Sequence, residues 1–237
     1  MAKQLFNFDS ERSAGCVNSH FFDSGSFSLW PIAAKYAAEN KTERWAYYDT
    51  PEFWRYIDLY AAFIKKFAAG IDFYANVDVI PNPELTWRNQ QYLEKKHGLS
   101  PIPVVHYKTD LKWLEHYIKR GYEYIALGGL VGSAMQDHCI GWIDAAFSLV
   151  CKPPKFLPTT KLHGFGITSY TLMRRFPWYS VDSSSWTKAA GFGILKIPQK
   201  RKGVFTFDEQ HYSIATSFES PAASIKGQHY FSMRPAE

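Results

Sequence analysis

The sequence predicts an α/β fold, and more specifically a single compact (β/α)8 barrel of the TIM type over residues 1–237. Eight short apolar runs of β-rich composition are separated mostly by helical patterns, which indicates a parallel sheet. Eight such strands are the number that closes this barrel, and 237 residues leave little room for insertions. A doubly wound open sheet is the alternative, but Gly128–Gly132 does not match its glycine fingerprint.

The predicted barrel strands follow one another as residues 4–9, 19–23, 71–79, 102–108, 122–128, 161–167, 178–182 and 192–197. Thr50 and Pro51 are typical of a helix start, and the apolar residues after them keep helical spacing to Phe67. Further helices are predicted over residues 84–97, 110–120, 137–150 and 170–175. We also expect a small extra strand at residues 43–48 and a helix at 211–223.

Composition limits the class of protein. The chain is 46% hydrophobic and 17% aromatic, enough for a large core, yet no apolar stretch reaches the length of a membrane span. The first residues contain no apolar segment typical of a secretory signal. Cys16, Cys139 and Cys151 are too widely spaced for a zinc or redox motif. These features predict a cytoplasmic protein without disulfides, metal or other cofactor.

The charge permits a nucleic-acid partner without requiring one, because the formal net charge is only +5. Basic residues cluster in three places: Arg174 with Arg175, Lys152 with Lys155, and residues 196–202. We interpret Arg174, Arg175, Lys200, Arg201 and Lys202 as candidate contacts to a phosphate backbone. A solvated surface without a partner is the alternative for each cluster.

Polar residues or glycines stand at the C-terminal ends of five predicted strands. They are Asp23, Asp78, His106, the pair Gly128–Gly129 and Asp182. In a (β/α)8 barrel the C-terminal ends of the strands carry the active site. Because scattered unpaired acids are costly to bury, we expect these residues to share one site.

The two acids Asp23 and Asp182 suit chemistry at the anomeric carbon of a sugar. One attacks C1′ while the other handles protons on the leaving and incoming groups. Gly128–Gly129 would let backbone groups approach a flat ligand closely. Asp78 could accept hydrogen bonds from a purine-like base, with His106 in contact with the same base.

Each assignment has a structural alternative. Asp182 is also typical of a helix N-cap before the Ser-rich segment that follows it. Asp78 could cap the loop before Pro81, and His106 could be a core histidine with satisfied hydrogen bonds. We interpret His163 as a strand residue bonded to backbone and give it no place in the site.

Four segments resemble the tRNA-guanine transglycosylase superfamily. Asp23–Ser28 resembles its D-S-G-G-F-Q element, and Gly128–Gly132 resembles its G-G-L-A-V-G base-binding loop. His163–Thr168, followed by Tyr179–Trp186, is most similar to the phage and bacterial relatives that act on DNA, the 7-deazaguanine DNA transglycosylases. The four segments keep the family's order over residues 19–186.

The resemblance implies a (β/α)8 fold and a pentosyltransferase. Such an enzyme exchanges guanine in a nucleic acid for a 7-deazaguanine, such as 7-cyano-7-deazaguanine, through a covalent aspartyl intermediate. Carried over, Asp182 matches the nucleophile, Asp23 the general acid/base and Asp78 the acid that recognises the base. Gly128 and Gly129 match the backbone groups that bind the base. The target nucleotide is expected to leave its stack so that C1′ can be reached.

The chain departs from the family in three places. His106 stands where the tRNA enzymes have a glutamine, and Ser26 replaces the second glycine of the first motif, while Ser24 keeps its serine and joins the candidate base-binding residues. No cysteine follows Cys151, so the family's zinc-supported tRNA-binding subdomain is absent. The resemblance therefore favours DNA over tRNA, in the host cytoplasm if the protein is phage-encoded.

Three other functions stay open. The substrate could be tRNA. The chain could also be a glycoside hydrolase that uses the same two acids, although the Gly128–Gly129 loop argues against this. A non-catalytic nucleic-acid-binding subunit is the third alternative, and it would need neither Asp23 nor Asp182.

Overall fold

The computed structural model describes residues 19–130, 137–197, 199–206, 212–217 and 229 of the chain. Over most of this length helices and parallel strands alternate, so the fold is α/β. The predicted strand at residues 4–9 lies outside the described residues, as do Cys16 and Gly132. No helix in the described ranges is long and apolar enough to cross a membrane.

Six short strands in the part of the chain that the structure describes run parallel to one another in the order of the sequence. They are β1 (Phe21–Phe22), β2 (Phe73–Tyr74), β3 (Val104–His106), β4 (Tyr124–Gly128), β5 (Lys161–Gly164) and β6 (Ser180–Val181). β1 pairs with β2, and β3 to β6 form one four-stranded sheet. A parallel bridge between Ala75 and Ile102 joins the two groups. Two consecutive parallel strands must be joined by a crossover connection, and helices form these connections here.

The described residues form seven α-helices between and after these strands. They are α1 (Ser26–Asn40), α2 (Pro51–Lys66), α3 (Pro83–His97), α4 (Lys112–Lys119), α5 (Asp137–Val150), α6 (Tyr170–Arg175) and α7 (Ser185–Gly191). The start of α2 is as predicted, because the Thr50 side chain accepts a hydrogen bond from the N–H of Phe53. α3 begins after Asn82, whose side chain caps it, and ends at Gly98 in the left-handed conformation.

The two faces of the sheet belong to different hydrophobic clusters, because successive side chains of a strand point to opposite faces. Val105 of β3 and Leu127 of β4 pack against α4 and α5, and a separate cluster around Ile57 packs α2 against the start of the sheet. The opposite face, which we call the inner face, carries a smaller cluster. Its members are Phe21, Phe73, Ile102, Val104, Tyr124, Ala126 and Phe165.

The inner face is strongly curved. Phe21 of β1 stacks on His163 of β5, with ring centroids 4.6 Å apart and planes 16° apart. In a flat sheet these strands, four positions apart, would be separated by about 19 Å. The sheet therefore curls until its first and fifth strands touch across the inner face.

Three sequence predictions are wrong in detail. The strand predicted at 192–197 exists as β7 (Ile194–Ile197), but it pairs antiparallel with β10 (Tyr212–Ala215), so the helix expected at 211–223 contains a strand instead. Residues 43–48 form no strand: Arg44–Asp49 is a 3-10 helix, in which the adjacent residues Tyr47 and Tyr48 are both buried, a pattern a half-buried strand cannot produce.

The chain beyond β7 forms a second hairpin. β8 (Gln199–Arg201) pairs antiparallel with β9 (Val204–Thr206), and Lys202 occupies the turn with a positive φ of 47°. The two strand pairs described after α7 are thus antiparallel, unlike the strands before α7, and a parallel bridge joins Ala215 of β10 to His229.

Candidate active site

The predicted site residues lie at or just beyond the C-terminal ends of the parallel strands. Asp23 follows β1, Asp78 lies on the extended segment after β2, and His106 and Gly128 end β3 and β4. Asp182 follows β6 directly. Parallel strands end at one edge of a sheet, so the topology collects these groups there.

Asp78 and His106 form a tight buried pair. Nε2 of His106 lies 2.6 Å from Oδ2 of Asp78, and the two side chains are only 1% and 10% exposed. The pairing contradicts the alternative in which Asp78 merely caps a loop. The other ring nitrogen, Nδ1 of His106, is buried and has no hydrogen-bond partner among the described residues. His106 is thus a core histidine, but only half of its hydrogen-bonding capacity is used.

Gly128 makes room for this pair. A Cβ atom at position 128 would lie 3.1 Å from Cδ2 of His106 and from Cγ1 of Val104. At the next position Gly129 has φ +71°, in the region that favours glycine. The two glycines therefore shape the wall beside His106, and their contact with a base stays a prediction.

The segment after β1 is held by α2. The hydroxyl of Tyr56 donates to the carbonyl of Ser24, and a Cβ at Gly25, where φ is +74°, would come within 2.8 Å of that hydroxyl. Ser24 is buried, and its hydroxyl is 2.7 Å from that of Ser26. These contacts hold the backbone next to Asp23 against α2.

The electrostatics of Asp23 favour its protonated form. Burial raises the pKa of the Asp23 carboxyl, and the negative charges of Asp78 and then of Asp182 add to the rise. Hydrogen bonds from the N–H groups of Gly25 and Ser24 partly oppose it. The three carboxylates are thus close enough for their charges to interact.

The environment of Asp182, unlike that of Asp23, favours the ionised carboxylate. Its Oδ1 accepts a 2.8 Å hydrogen bond from the N–H of Gly166, and half of the side chain (51%) is open to solvent. Burial alone would raise the pKa of Asp182, but the contact with His163, the N–H of Gly166 and the charge of His163 outweigh it and lower the pKa. The carboxylate is therefore kept ionised.

Asp182 is not the cap of the following helix. The hydroxyl of Ser183 accepts the hydrogen bond from the N–H of Ser185 at the start of α7. The carboxylate of Asp182 instead turns to the loop after β5, where Gly166 lies. The helix-cap alternative is therefore wrong.

Sequence reasoning missed His163. Its Nδ1 is bonded to a side chain, the hydroxyl of Ser180 at 2.6 Å, rather than to backbone as predicted. Its Nε2 is buried and lies 3.7 Å from Oδ1 of Asp182, a distance too long for a hydrogen bond. A signal was available, because Ser180 and Asp182 are two residues apart on a predicted strand and so face the same side.

The candidate phosphate contacts are dispersed. Arg174 and Arg175 are both exposed at the end of α6, and Arg175 donates to Asp144 at 2.7 Å. Lys202 is exposed in the turn between β8 and β9. The side chains of Lys200 and Arg201 lie outside the described part. Because an exposed ion pair is weak, the Asp144 contact does not prevent Arg175 from binding phosphate.

The site joins two carboxylates whose pKa values are displaced in opposite directions. Opposed environments of this kind separate an acid from a nucleophile. Within the described ranges no group of three or more histidine, cysteine or acidic residues is placed to hold a metal ion, and Cys139 and Cys151 are free thiols. No protein-family model, curated protein or solved structure matches the chain.

Proposed function

We propose that the protein is a base-exchange transglycosylase that replaces guanine in DNA with a 7-deazaguanine, such as 7-cyano-7-deazaguanine. The observation that carries the proposal is the pair Asp23 and Asp182, at one edge of the sheet with pKa values displaced in opposite directions. The four motifs that resemble the transglycosylases support the choice of base and polymer.

The proposed scaffold is a (β/α)8 barrel. Six parallel strands in sequence order, curled so that Phe21 of β1 meets His163 of β5, support it, because the first and fifth strands of an eight-stranded barrel face each other. Closure requires two further strands, and residues 4–9 are the candidate for one.

Asp182 acts as the nucleophile. Gly166 holds Oδ1, so Oδ2 is the oxygen left to attack C1′ of the target deoxyguanosine. The new bond joins Oδ2 to C1′ while the bond from C1′ to N9 of guanine breaks and its electron pair passes to the base. The product is a glycosyl ester on Asp182.

Asp23 manages the proton. Its raised pKa favours a carboxylic acid that can donate to the departing guanine. The resulting carboxylate then takes the N9 proton of the incoming 7-deazaguanine, whose nitrogen attacks C1′ and releases Asp182. Every proton and electron pair is returned, so the cycle needs no redox cofactor or metal.

The buried pair Asp78–His106 recognises the base. His106 engages Oδ2 of Asp78, which leaves Oδ1 to accept hydrogen bonds from N–H groups on a purine-like edge. Gly128, Gly129 and Ser24 complete the proposed base site. The pair is rigid because both members are buried, and rigid acceptors discriminate well between similar ligands.

The DNA partner needs a backbone contact and a flipped nucleotide. Arg174, Arg175, Lys200, Arg201 and Lys202 are the proposed phosphate contacts. The base must leave the duplex, or come from a single strand, before Asp182 can reach C1′. We propose the cytoplasm as the compartment.

The deciding experiment compares two polymers and two proteins. Wild type and Asp182→Ala are incubated with 7-cyano-7-deazaguanine and either guanine-containing DNA or tRNA, and the nucleosides are analysed by mass spectrometry. Modified deoxyguanosine from the wild type alone supports the proposal. A modified ribonucleoside would make the protein a tRNA enzyme, and no exchange on either polymer would return weight to a hydrolase or a binding subunit.

A further inference from the structure

We propose that His163, supported by Ser180 and Tyr124, is a positioning residue that fixes Oδ1 of Asp182 and so selects Oδ2 as the attacking atom. This inference rests on the proposed function, in which Asp182 is the nucleophile. It assigns a role to a buried histidine that the mechanism above does not use.

The geometry is a chain of contacts across three strands. The hydroxyl of Tyr124 on β4 lies 2.5 Å from that of Ser180 on β6, and this hydroxyl lies 2.6 Å from Nδ1 of His163 on β5. The far side of the ring, Nε2, lies 3.7 Å from Oδ1 of Asp182. Phe21 stacks on the ring face, so the imidazole cannot turn away without losing this contact.

Hydrogen bonding determines which nitrogen carries the proton. If Tyr124 donates to Ser180 and Ser180 donates to Nδ1, a neutral His163 carries its proton on Nε2, facing Asp182. The reverse direction would leave a bare lone pair on Nε2 pointing at a carboxylate, which is repulsive. Burial raises the pKa of Tyr124, so its hydroxyl stays protonated and is able to donate to Ser180. An imidazolium would also present an N–H to Asp182.

Nε2 of His163 faces Asp182 but makes no hydrogen bond to it in this structure. His163 is only 3% exposed at its side chain, and Nε2 has no hydrogen-bond partner among the described residues. Leaving a buried donor unused carries a free-energy penalty. Catalytic hydrogen bonds are often long in an enzyme without substrate and shorten in the complex. The 3.7 Å gap is therefore what a donor poised for Asp182 would show.

The reaction explains why both donors should share one oxygen. When Oδ2 is esterified to C1′, Oδ1 becomes the ester carbonyl, still held by Gly166 and faced by His163. When the incoming base displaces Asp182, negative charge returns to the carboxylate, and the two N–H groups stabilise it as a leaving group. The same contacts thus assist both half-reactions without moving.

The groups that face this carboxylate set its pH dependence. They are His163 on β5, Asp23 after β1 and the N–H of Gly166, while Tyr124 on β4 acts through Ser180. Burial opposes ionisation of Asp182, and His163 and Gly166 favour it. Loss of the His163 donor should therefore raise the pKa of Asp182.

The first test needs no substrate. Nitrogen-15 NMR of histidine-labelled protein, assigned by comparison with His163→Gln, reads which ring nitrogen carries the proton. A proton on Nε2, alone or in an imidazolium, supports the proposal, whereas a neutral ring protonated only on Nδ1 would overturn it. Carbon-13 titration of the Asp182 carboxyl should give a higher pKa in His163→Phe than in wild type, and an unchanged pKa would count against the proposal.

The second test is the rate of exchange with 7-cyano-7-deazaguanine and DNA. His163→Phe keeps a ring to stack on Phe21 but has no donor, and it should slow formation of the covalent intermediate on the order of 100-fold. His163→Gln keeps a donor and should stay within about tenfold of wild type. Equal losses in the two variants, or no loss in His163→Phe, would refute a positioning role.

Two further variants guard against misfolding and against failure of the proposed function. Tyr124→Phe removes one hydroxyl from the chain and should slow exchange less than His163→Phe, while Tyr179→Phe, an exposed neighbour, should match wild type. If wild type exchanges no base, the proposed function fails, yet the two NMR readings still decide whether His163 directs an N–H to Asp182.

Discussion

Among the described residues two aspartate–histidine pairs lie at one edge of the sheet, and they differ in the environment of the acid. In Asp78–His106 both side chains are buried and 2.6 Å apart. In Asp182–His163 the histidine is equally buried, but the carboxylate is half open and 3.7 Å away. The first pair is closed and rigid, whereas the second leaves its carboxylate half open to solvent.

The difference follows from the cost of burying charge. A carboxylate removed from water must be paired closely or lose its charge, so Asp78 is bound tightly to His106. Asp182 can stay ionised through water, one backbone N–H and a more distant histidine, so one of its oxygens stays available. The same two residue types thus provide a rigid recognition element in one place and a reactive group in the other.

The largest expected effect is the loss of activity in Asp182→Asn. The exchange rate should fall by about 10⁴-fold or more, because the amide cannot form the glycosyl ester. Stability should change by less than about 1 kcal/mol, since the side chain is half exposed. Mass spectrometry of the nucleosides and of the intact protein–DNA adduct measures the first, and urea unfolding the second. An active Asp182→Asn would remove Asp182 as the nucleophile.

In the buried pair Asp78–His106, by contrast, a substitution should mainly lower the stability of the protein. His106→Ala leaves the Asp78 carboxylate buried without its partner and should lower the free energy of unfolding by about 3–5 kcal/mol. His106→Gln keeps a donor and serves as the matched control, with a smaller loss. Urea unfolding at neutral pH gives both values. A loss below about 1 kcal/mol in His106→Ala would show that water or a rearrangement solvates Asp78.

The wall beside the buried pair gives a smaller effect. Gly128→Ala would bring a Cβ to 3.1 Å from His106 and Val104 and should destabilise the protein by about 1–3 kcal/mol. Gly141→Ala is the control: it lies in α5 with nothing within 4 Å of its Cβ and should stabilise the protein by about 0.5–1 kcal/mol. Thermal unfolding compares the two, and a change of the same sign in both would contradict the packing argument.

The smallest expected effects are pH-dependent changes in stability, and they have opposite signs in Asp23→Asn and Asp182→Asn. Folding raises the pKa of Asp23, so the stability it contributes is present below its ordinary value of 3.8 and is lost as the pH rises through the raised pKa. Asp23→Asn should therefore be more stable than wild type at pH 7, and the gap should close below about pH 4.

Asp182 has a lowered pKa, so its contribution is present above 3.8 and is lost as the pH falls through the lowered value. Asp182→Asn should be slightly less stable than wild type at pH 7, with the gap closing in acid. Both differences should stay below about 1 kcal/mol, because the Asp23 and Asp182 side chains, although partly desolvated, still have a surface open to water, which screens their charges. Urea unfolding between pH 3 and pH 7 tests the signs, and two gaps of equal sign would contradict the opposed environments.

Local signals in the sequence predicted the elements that depend on neighbouring residues. α5 and α6 begin and end where the helical patterns place them, and Thr50 caps α2 as expected. The placement of the acids at strand ends was predicted from local signals as well, because alternation and turn residues mark where a strand stops. Short-range chemistry was sufficient for these predictions.

Only the tertiary structure decided what those strand ends touch. The partner of Asp78 lies 28 residues away and that of His163 lies 17 residues away, and no local pattern encodes such pairings. The antiparallel pairing of β7 with β10 and the 3-10 helix at Arg44–Asp49 depend in the same way on packing partners. The sequence by itself determined the α/β class and the candidate acids. The pairing of β5 with β6, which sets His163 opposite Ser180, determined that His163 faces Asp182. The curl of the sheet, which brings β1 against β5, determined that Phe21 stacks on the His163 ring.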